Sequence, residues 1–126
     1  MNQNNESALS LMDVKKYYKS KKKYLDSNGK AVRNAQIKSV DGVSFELAHG
    51  EILGIIGESG CGKSTLGKLI VRMENPTDGQ IIINGIDSEA LLSRDRLSFR
   101  RTIQMIFQNP FDSFDPRYTI GKILMD

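Results

Sequence analysis

The sequence predicts an α/β fold, in which an apolar strand, a glycine-rich loop and an amphipathic helix follow one another, flanked by antiparallel edge strands. Three observations carry this expectation. Residues 57–65 read GESGCGKST, with Gly57, Gly60 and Gly62 set among a lysine and hydroxyl side chains. The run before it, residues 51–56, is nearly all apolar, as expected of a strand covered on both faces. The run after it places Leu66, Leu69, Ile70 and Met73 at i, i+3, i+4 and i+7, one face of a helix.

The elements follow in chain order. Residues 1–7 are polar, and a disordered start is expected. ALSLMDV, residues 8–14, alternates loosely and predicts a strand running toward Tyr17 and Tyr18. Residues 19–36 are polar and carry an Asn28-Gly29 turn signal without apolar periodicity, which predicts a polar loop or a ragged hairpin. Val43, Phe45 and Leu47 alternate with polar partners, so residues 37–47 read as a half-buried strand. His49 and Gly50 then turn the chain into the 51–56 strand. Asn75 and Pro76 are expected to stop the helix that follows the glycine loop. Residues 79–87 predict a strand broken by Asn84-Gly85, a hairpin-type turn signal. SEALLSRDRLSFRR, residues 88–101, reads as a helix with Ser88 at its N-cap. Residues 102–108 predict another strand with Ile103, Met105 and Phe107 on one face. NPFDSFDPR, residues 109–117, holds two prolines and reads as a loop, and Thr119 caps a final helix that ends at Asp126.

Composition bounds the function. The chain has 126 residues, a formal charge of +3, 39% hydrophobic and 26% charged residues, which fits one folded domain rather than a disordered segment. Six lysines fall between Lys15 and Lys23; a solvated loop, acidic lipid headgroups and nucleic acid are the open readings of that run. Cys61 is the single cysteine, so an internal disulfide is excluded and a reducing compartment is expected. No apolar stretch approaches the roughly 20 residues of a membrane-spanning helix, and MNQNNESALS, with neither a basic leader nor an apolar stretch, is not expected to act as a secretion signal. A place inside the cell is therefore expected, with any membrane met from its surface or through a partner. His49 has no second histidine and no cysteine pair to join it, which leaves it a turn residue rather than a metal ligand.

The glycine loop has a specific chemistry. Gly57, Gly62, Lys63 and Ser64 match G-x-x-x-x-G-K-[ST], and Thr65 follows. Glycines at 57, 60 and 62 can take backbone angles closed to other residues, so the loop can curl with successive N–H groups inward, forming an anion nest. A helix starting near Lys63 adds its positive end. Lys63 would reach the β- and γ-phosphates of a nucleotide, and the Ser64 hydroxyl would sit on Mg²⁺. Cys61 occupies an unconstrained loop position, as a small filler. This loop alone fits GTPases, small-molecule kinases, recombinases, helicases and transporter ATPases. The chain carries no N-K-x-D guanine-reading motif, which weakens the first of these.

Three further blocks narrow the choice. Residues 39–70, SVDGVSFELAHGEILGIIGESGCGKSTLGKLI, residues 76–87, PTDGQIIINGID, and residues 103–110, IQMIFQNP, resemble the ATP-binding cassette (ABC) family in order and spacing. GESGCGKSTLGKLI, FQNPFDSFDPR and TIGKILMD look most like the F-type ATP-binding subunit of oligopeptide and dipeptide importers. The resemblance implies a P-loop NTPase of ABC type, with ATP and Mg²⁺ as cofactors. It assigns a nucleotide cradle to Gly57, Glu58, Ser59, Gly60, Cys61, Gly62, Lys63, Ser64 and Thr65. It makes Tyr18 the aromatic that stacks on adenine, with Tyr17 the lesser choice, and puts Val40 near the ribose and base. Gln108 matches the Q-loop glutamine that touches Mg²⁺ and the attacking water, so Lys63 and Gln108 are the catalytic candidates and Ser64 and Gln108 the metal candidates. The 109–117 loop would dock integral-membrane permease subunits; Phe111 and Phe114 either make that contact or fold onto their own core. The resemblance also implies a dimer with a second ATP-binding subunit, an indirect extracytoplasmic binding protein, no nucleic-acid partner and a peripheral place on the cytoplasmic face of the cell membrane. A soluble non-transport ABC ATPase, or a P-loop kinase or nucleotide-binding module, is the alternative.

The chain departs from the family in one respect. The family's ATPase domain is about twice this long, roughly 250 residues, still a single-domain size. The sequence holds no L-S-G-G-Q signature, no four apolar residues before Asp-Glu, and no later switch histidine. The expectation is therefore the N-terminal part of one ABC-type domain, cut after the Q-loop, that binds nucleotide without completing hydrolysis, with uncovered apolar faces that leave it marginally stable.

Overall fold

The computed structural model describes residues 7–21, 24–32 and 35–125. β1 (Ser7–Lys19) begins at Ser7, so the predicted disordered start is overturned at that residue, while residues 1–6 lie outside the described part. Between Lys19 and Gln36 the hairpin alternative holds: β2 (Tyr24–Leu25) pairs antiparallel with β3 (Ala31–Val32). Its turn is organised by Asp26, whose carboxylate accepts from the backbone N–H of Asn28 at 2.9 Å and of Lys30 at 2.8 Å. β4 (Gln36–Ala48) then returns antiparallel along β1.

The pairing of β1 contains a slip that decides which side chains face inward. Leu9 and Leu11 are buried on one face, and Leu11 pairs with Phe45. Val14 pairs with Val43, so Met12 and Asp13 together oppose one residue of β4: a β-bulge. Asp13 adopts φ 47° there and donates its N–H to Ser44 Oγ at 2.8 Å. After the bulge the inward face continues through Val14, fully buried, and on to Lys16 and Tyr18. Gly79 makes the bulge possible: at φ 88°, a side chain on it would overlap the Asp13 carbonyl.

β5 (Asp78–Ile83) pairs with the other edge of β1, and β6 (Ile86–Asp87) folds back on β5 through Asn84 and Gly85, at φ 49° and 77°. Two successive positive φ values are what a tight hairpin turn requires, and Asn-Gly meets them with least strain. The sheet order is β4-β1-β5-β6. Leu9, Leu11, Val14, Val40, Ile81 and Ile83 of the sheet form one core with Leu66 and Leu69 of α1 (Lys63–Ile70).

α1 stops earlier than Asn75-Pro76 suggested. Arg72 takes φ 56°, its N–H bonds to the Leu69 carbonyl, and the Met73 N–H bonds to the Lys68 carbonyl. That pattern is a Schellman ending, and it puts Met73 outside the helix and half-exposed. The predicted helix over 88–101 is two helices, α2 (Ser88–Arg94) and α3 (Arg96–Thr102). Asp87, not Ser88, caps the first; Ser88 is buried. Asp95 breaks the run by adopting an extended φ of −154° and accepting from the N–H groups of Leu97 and Ser98. Phe99 of α3 completes the core. Replacing Asp95 by alanine leaves those amides uncapped and should cost about 1 kcal/mol, measured by chemical denaturation; an unchanged midpoint would show the cap idle.

The largest correction concerns the two apolar strands. Residues 51–56 and 102–108 carry no strand ladder among the described residues. Their patterning survives: Ile103, Met105 and Phe107 are half-buried, and Gln104, Ile106 and Gln108 are exposed. Leu53 and Ile55 are about half exposed, whereas Ile52 and Ile56 are 96% and 98% exposed. The physical reason is the lack of a neighbour. A strand built to be covered on both faces and bonded on both edges needs adjacent strands, and the sheet around β1 supplies none at this position. The 109–117 segment forms a 3₁₀ turn, Pro110–Ser113, capped by Asn109. α4 (Ile120–Met125) follows Thr119, whose hydroxyl lies 3.4 Å from the Lys122 N–H. Among the described residues, no helix is long and apolar enough to cross a membrane.

Candidate functional site

The glycine loop takes its shape from two left-handed positions, Gly60 at φ 80° and Gly62 at φ 100°. Gly62 is the N-cap of α1 and offers no side chain to the first turn, whose N–H groups therefore carry no side-chain cap. No acidic residue stands in that turn, so the positive end of the helix is left for an outside anion. Gly62 also packs against β4: a side chain there would overlap the carbonyl of Ser39. Gly57 differs from expectation. Its φ is not in the left-handed region, and its constraint is space, since an added Cβ would come within 2.5 Å of Cys61 Sγ.

Beside the loop lies a cleft of about 420 Å³ lined by Ser39, Ser59, Gly60, Gly62, Lys63, Ser64, Thr65 and Gln108. The fold thus brings Gln108 to the glycine loop even though the 102–108 segment forms no strand. The lining is one cation, hydroxyls, one carboxamide and glycine backbone; no carboxylate belongs to it. Lys63 Nζ folds back, donating to the Gly57 carbonyl and to the Glu58 carbonyl at 2.9 Å, and lies 3.8 Å from Cys61 Sγ. Its ammonium is satisfied by main-chain oxygens that a phosphate can replace.

The two tyrosines are neighbours in β1 and point to opposite faces, and the bulge sets which face each one takes. Tyr17 points to the outer side, where its hydroxyl donates to Asp41 and Lys38 Nζ lies 5.3 Å from its ring centre. That hydrogen bond raises the Tyr17 phenol and lowers the Asp41 carboxyl from their usual values. Tyr18 points to the α1 side. Its hydroxyl donates to Glu74, which raises the phenol above its ordinary range, and the Thr65 hydroxyl is a weaker hydrogen-bond neighbour that pulls the other way. Lys16 lies over the Tyr18 ring at 5.2 Å and donates to the Asn75 carbonyl at 2.7 Å. Tyr18 therefore stands next to a residue of the cleft. Val40 does not line the cleft; it is buried beneath it, facing an apolar groove with Leu53, Ile55 and Leu66.

Two residues at the site escaped the sequence reading. Ser39 lines the cleft and donates through Oγ to Thr65 Oγ1 at 2.9 Å. Glu74 holds the Tyr18 hydroxyl. Neither belongs to a motif; only the β1–β4 register and the end of α1 reveal them. Away from the cleft, Phe111 is 79% and Phe114 46% exposed, so neither folds onto the core. Lys22 and Lys23 of the basic run lie outside the described residues. No group of metal-ligating His, Cys, Asp or Glu side chains occurs among the described residues.

Residues 40–123 match the family model for the ABC transporter. The chain is 45% identical over 124 residues to the oligopeptide transport ATP-binding protein AppF of Bacillus subtilis, covering 98% of this chain and 36% of that protein. It is 42% identical over 120 residues to the dipeptide transport ATP-binding protein DppF of Haemophilus influenzae, covering 95% and 35%. A putative peptide import ATP-binding protein of Brucella ovis is 49% identical over 94 residues, covering 75% and 30%. The chain thus spans about a third of the length of these relatives. Among solved structures, a bacterial Atm1-family ABC exporter with ATP bound aligns at a TM-score of 0.45 and 30% identity, over 69% of this chain and 12% of that one. With a family model that takes in the glycine loop, α1 and Gln108 together, and relatives aligned along almost its whole length, the chain belongs to the ABC transporter family.

Proposed function

We propose that this chain binds Mg-ATP, and that it does so as part of the ATP-binding subunit of a peptide importer. One observation carries the reading: an uncapped helix N-terminus, a lysine, three hydroxyl residues of the loop and Gln108 converge on one cleft from which carboxylates are absent. That set suits a polyanion. It suits a bare divalent cation poorly, because the hard oxygen donors are neutral hydroxyls and an amide. Mg²⁺ therefore fits here together with phosphate, held by Ser64 and Gln108, and bound in that way it neutralises phosphate charge.

The chain's own residues divide the work. The N–H groups of residues 60–65 cradle the phosphates, and Lys63 exchanges its loop carbonyls for phosphate oxygens, a charge-assisted and therefore stronger bond. Tyr18 supplies an aromatic face for the base, beside Thr65. Gln108 orients water at the open end of the cleft. With no carboxylate in the lining, no strong proton acceptor stands ready, so these residues account for binding, and hydrolysis belongs to the longer subunit. The relatives' names indicate oligopeptide or dipeptide transport. On that basis the 109–117 loop, with Phe111 and Phe114 outward, meets a permease at the cytoplasmic membrane face, and a second ATP-binding subunit completes the site.

Mg-ATP titration of the chain tests the reading. Tyr18→Ala should weaken Mg-ATP by about 1–3 kcal/mol, the usual worth of one base–aromatic stack, and Tyr17→Ala should leave it unchanged. The opposite pattern would move the base to the other face of β1.

A further inference from the structure

Tyr18 is more constrained than a stacking residue needs to be. Its side chain is held at two points, its hydroxyl and its ring. The hydroxyl donates to Glu74 just beyond the end of α1, and Lys16 Nζ lies 5.2 Å from the ring centre. Glu74 is itself held, 3.8 Å from Lys16 Nζ, while Lys16 is anchored on the Asn75 carbonyl. Thr65 accepts from Ser39. One hydrogen bond therefore ties β4 to the start of α1 through Ser39 and Thr65, and another ties the Tyr18 ring to a carboxylate beyond the end of α1. Glu74 has no place in the phosphate chemistry, for it does not line the cleft.

We propose that Glu74 is a positioning residue for the nucleotide base: by fixing the Tyr18 hydroxyl, it holds the ring in the one orientation that presents its face beside the phosphate loop. The proposal rests on the Mg-ATP reading above. A free tyrosine side chain samples several rotamers, and each must be given up on stacking. A ring already pinned through its hydroxyl has given them up in advance. The carboxylate is suited to this because a phenol bonds most strongly to a charged acceptor. Asp41 holds the Tyr17 hydroxyl in the same manner on the opposite face.

The test compares the parent chain with Glu74→Ala, Glu74→Gln, Tyr18→Phe and the double variant Tyr18→Phe/Glu74→Ala, each titrated with Mg-ATP and with magnesium tripolyphosphate. Glu74→Ala and Tyr18→Phe should each weaken Mg-ATP by about threefold to tenfold, the range for one hydrogen bond. The double variant should be no weaker than either single one, Glu74→Gln should recover part of the loss, and tripolyphosphate binding should not change. A ligand-free readout accompanies these: in an ultraviolet titration of the phenols, Glu74→Ala should lower one tyrosine's ionisation toward its ordinary value, and Tyr18→Phe should remove that step. Glu74→Ala with parental Mg-ATP affinity and an unmoved phenol overturns the role of Glu74 while leaving the nucleotide reading intact. Equal loss of both ligands overturns it too, since that marks general loosening. A folded parent chain that binds tripolyphosphate but not ATP overturns the base-stacking reading on which the proposal stands.

Discussion

Gly62→Ala should abolish measurable Mg-ATP binding and lower stability by several kcal/mol, the largest effect of any single methyl group added to this site. Two costs combine. The backbone at φ 100° is a conformation that disfavours every L side chain, worth about 1–2 kcal/mol. The new Cβ would also overlap the Ser39 carbonyl, a main-chain atom that cannot rotate away. The loop must therefore lift from β4, which turns the first-turn amides of α1 from the cleft and breaks the Ser39–Thr65 hydrogen bond. Gly60→Ala is the control. At φ 80° it suffers the same backbone strain, but open space surrounds the position, so it should lose only the strain term. Thermal melts of the two variants, paired with nucleotide titration, separate overlap from strain. Equal melting points would show that the contact with β4 does not set the loop.

Lys63→Ala is the second large effect, and it should fall on binding alone. The side chain bonds to two carbonyls and the Cys61 sulfur of its own loop, so its loss should leave the circular dichroism spectrum unchanged. Bound to phosphate, the ammonium makes charge-assisted hydrogen bonds worth about 1.5–3 kcal/mol, which corresponds to a loss of roughly tenfold to a hundredfold in affinity. Lys63→Arg should not restore it, because a planar fork cannot occupy the position of a compact ammonium in a curled loop. Unaltered affinity of Lys63→Ala for a fluorescent ATP analogue would remove the phosphate role of the loop.

Local rules carried the sequence reading where local rules suffice. The GESGCGKST loop, the Leu66–Leu69 face of α1 and the Asn84-Gly85 hairpin depend on residues a few positions apart, and all three stand in the structure. The misses were local competitions or long-range effects. Ser88 and Asp87 both suit an N-cap, and the carboxylate took the position. Asp95 looked like an interior helix residue until its side chain claimed the next two amides. Tyr18, chosen over Tyr17 on the resemblance alone, owes its side of the strand to the bulge at Met12–Asp13, where Ser44 and Gly79 from far along the chain meet β1. Residues 51–56 and 102–108 have strand patterning but no ladder, because periodicity describes a face and a strand also needs a partner edge. Ser39 and Glu74 carry no signature in the sequence; the β1–β4 register and the end of α1 bring them to Thr65 and Tyr18.

The most direct measurement is an amide-resolved NMR titration of this chain with Mg-ATP. The account predicts the largest shifts at the N–H groups of residues 59–65, with the Tyr18 ring and the Gln108 carboxamide moving in step and saturating at one ligand. Saturable binding that perturbs other residues while those amides stay still, or a folded chain that shows no response to Mg-ATP, would contradict it.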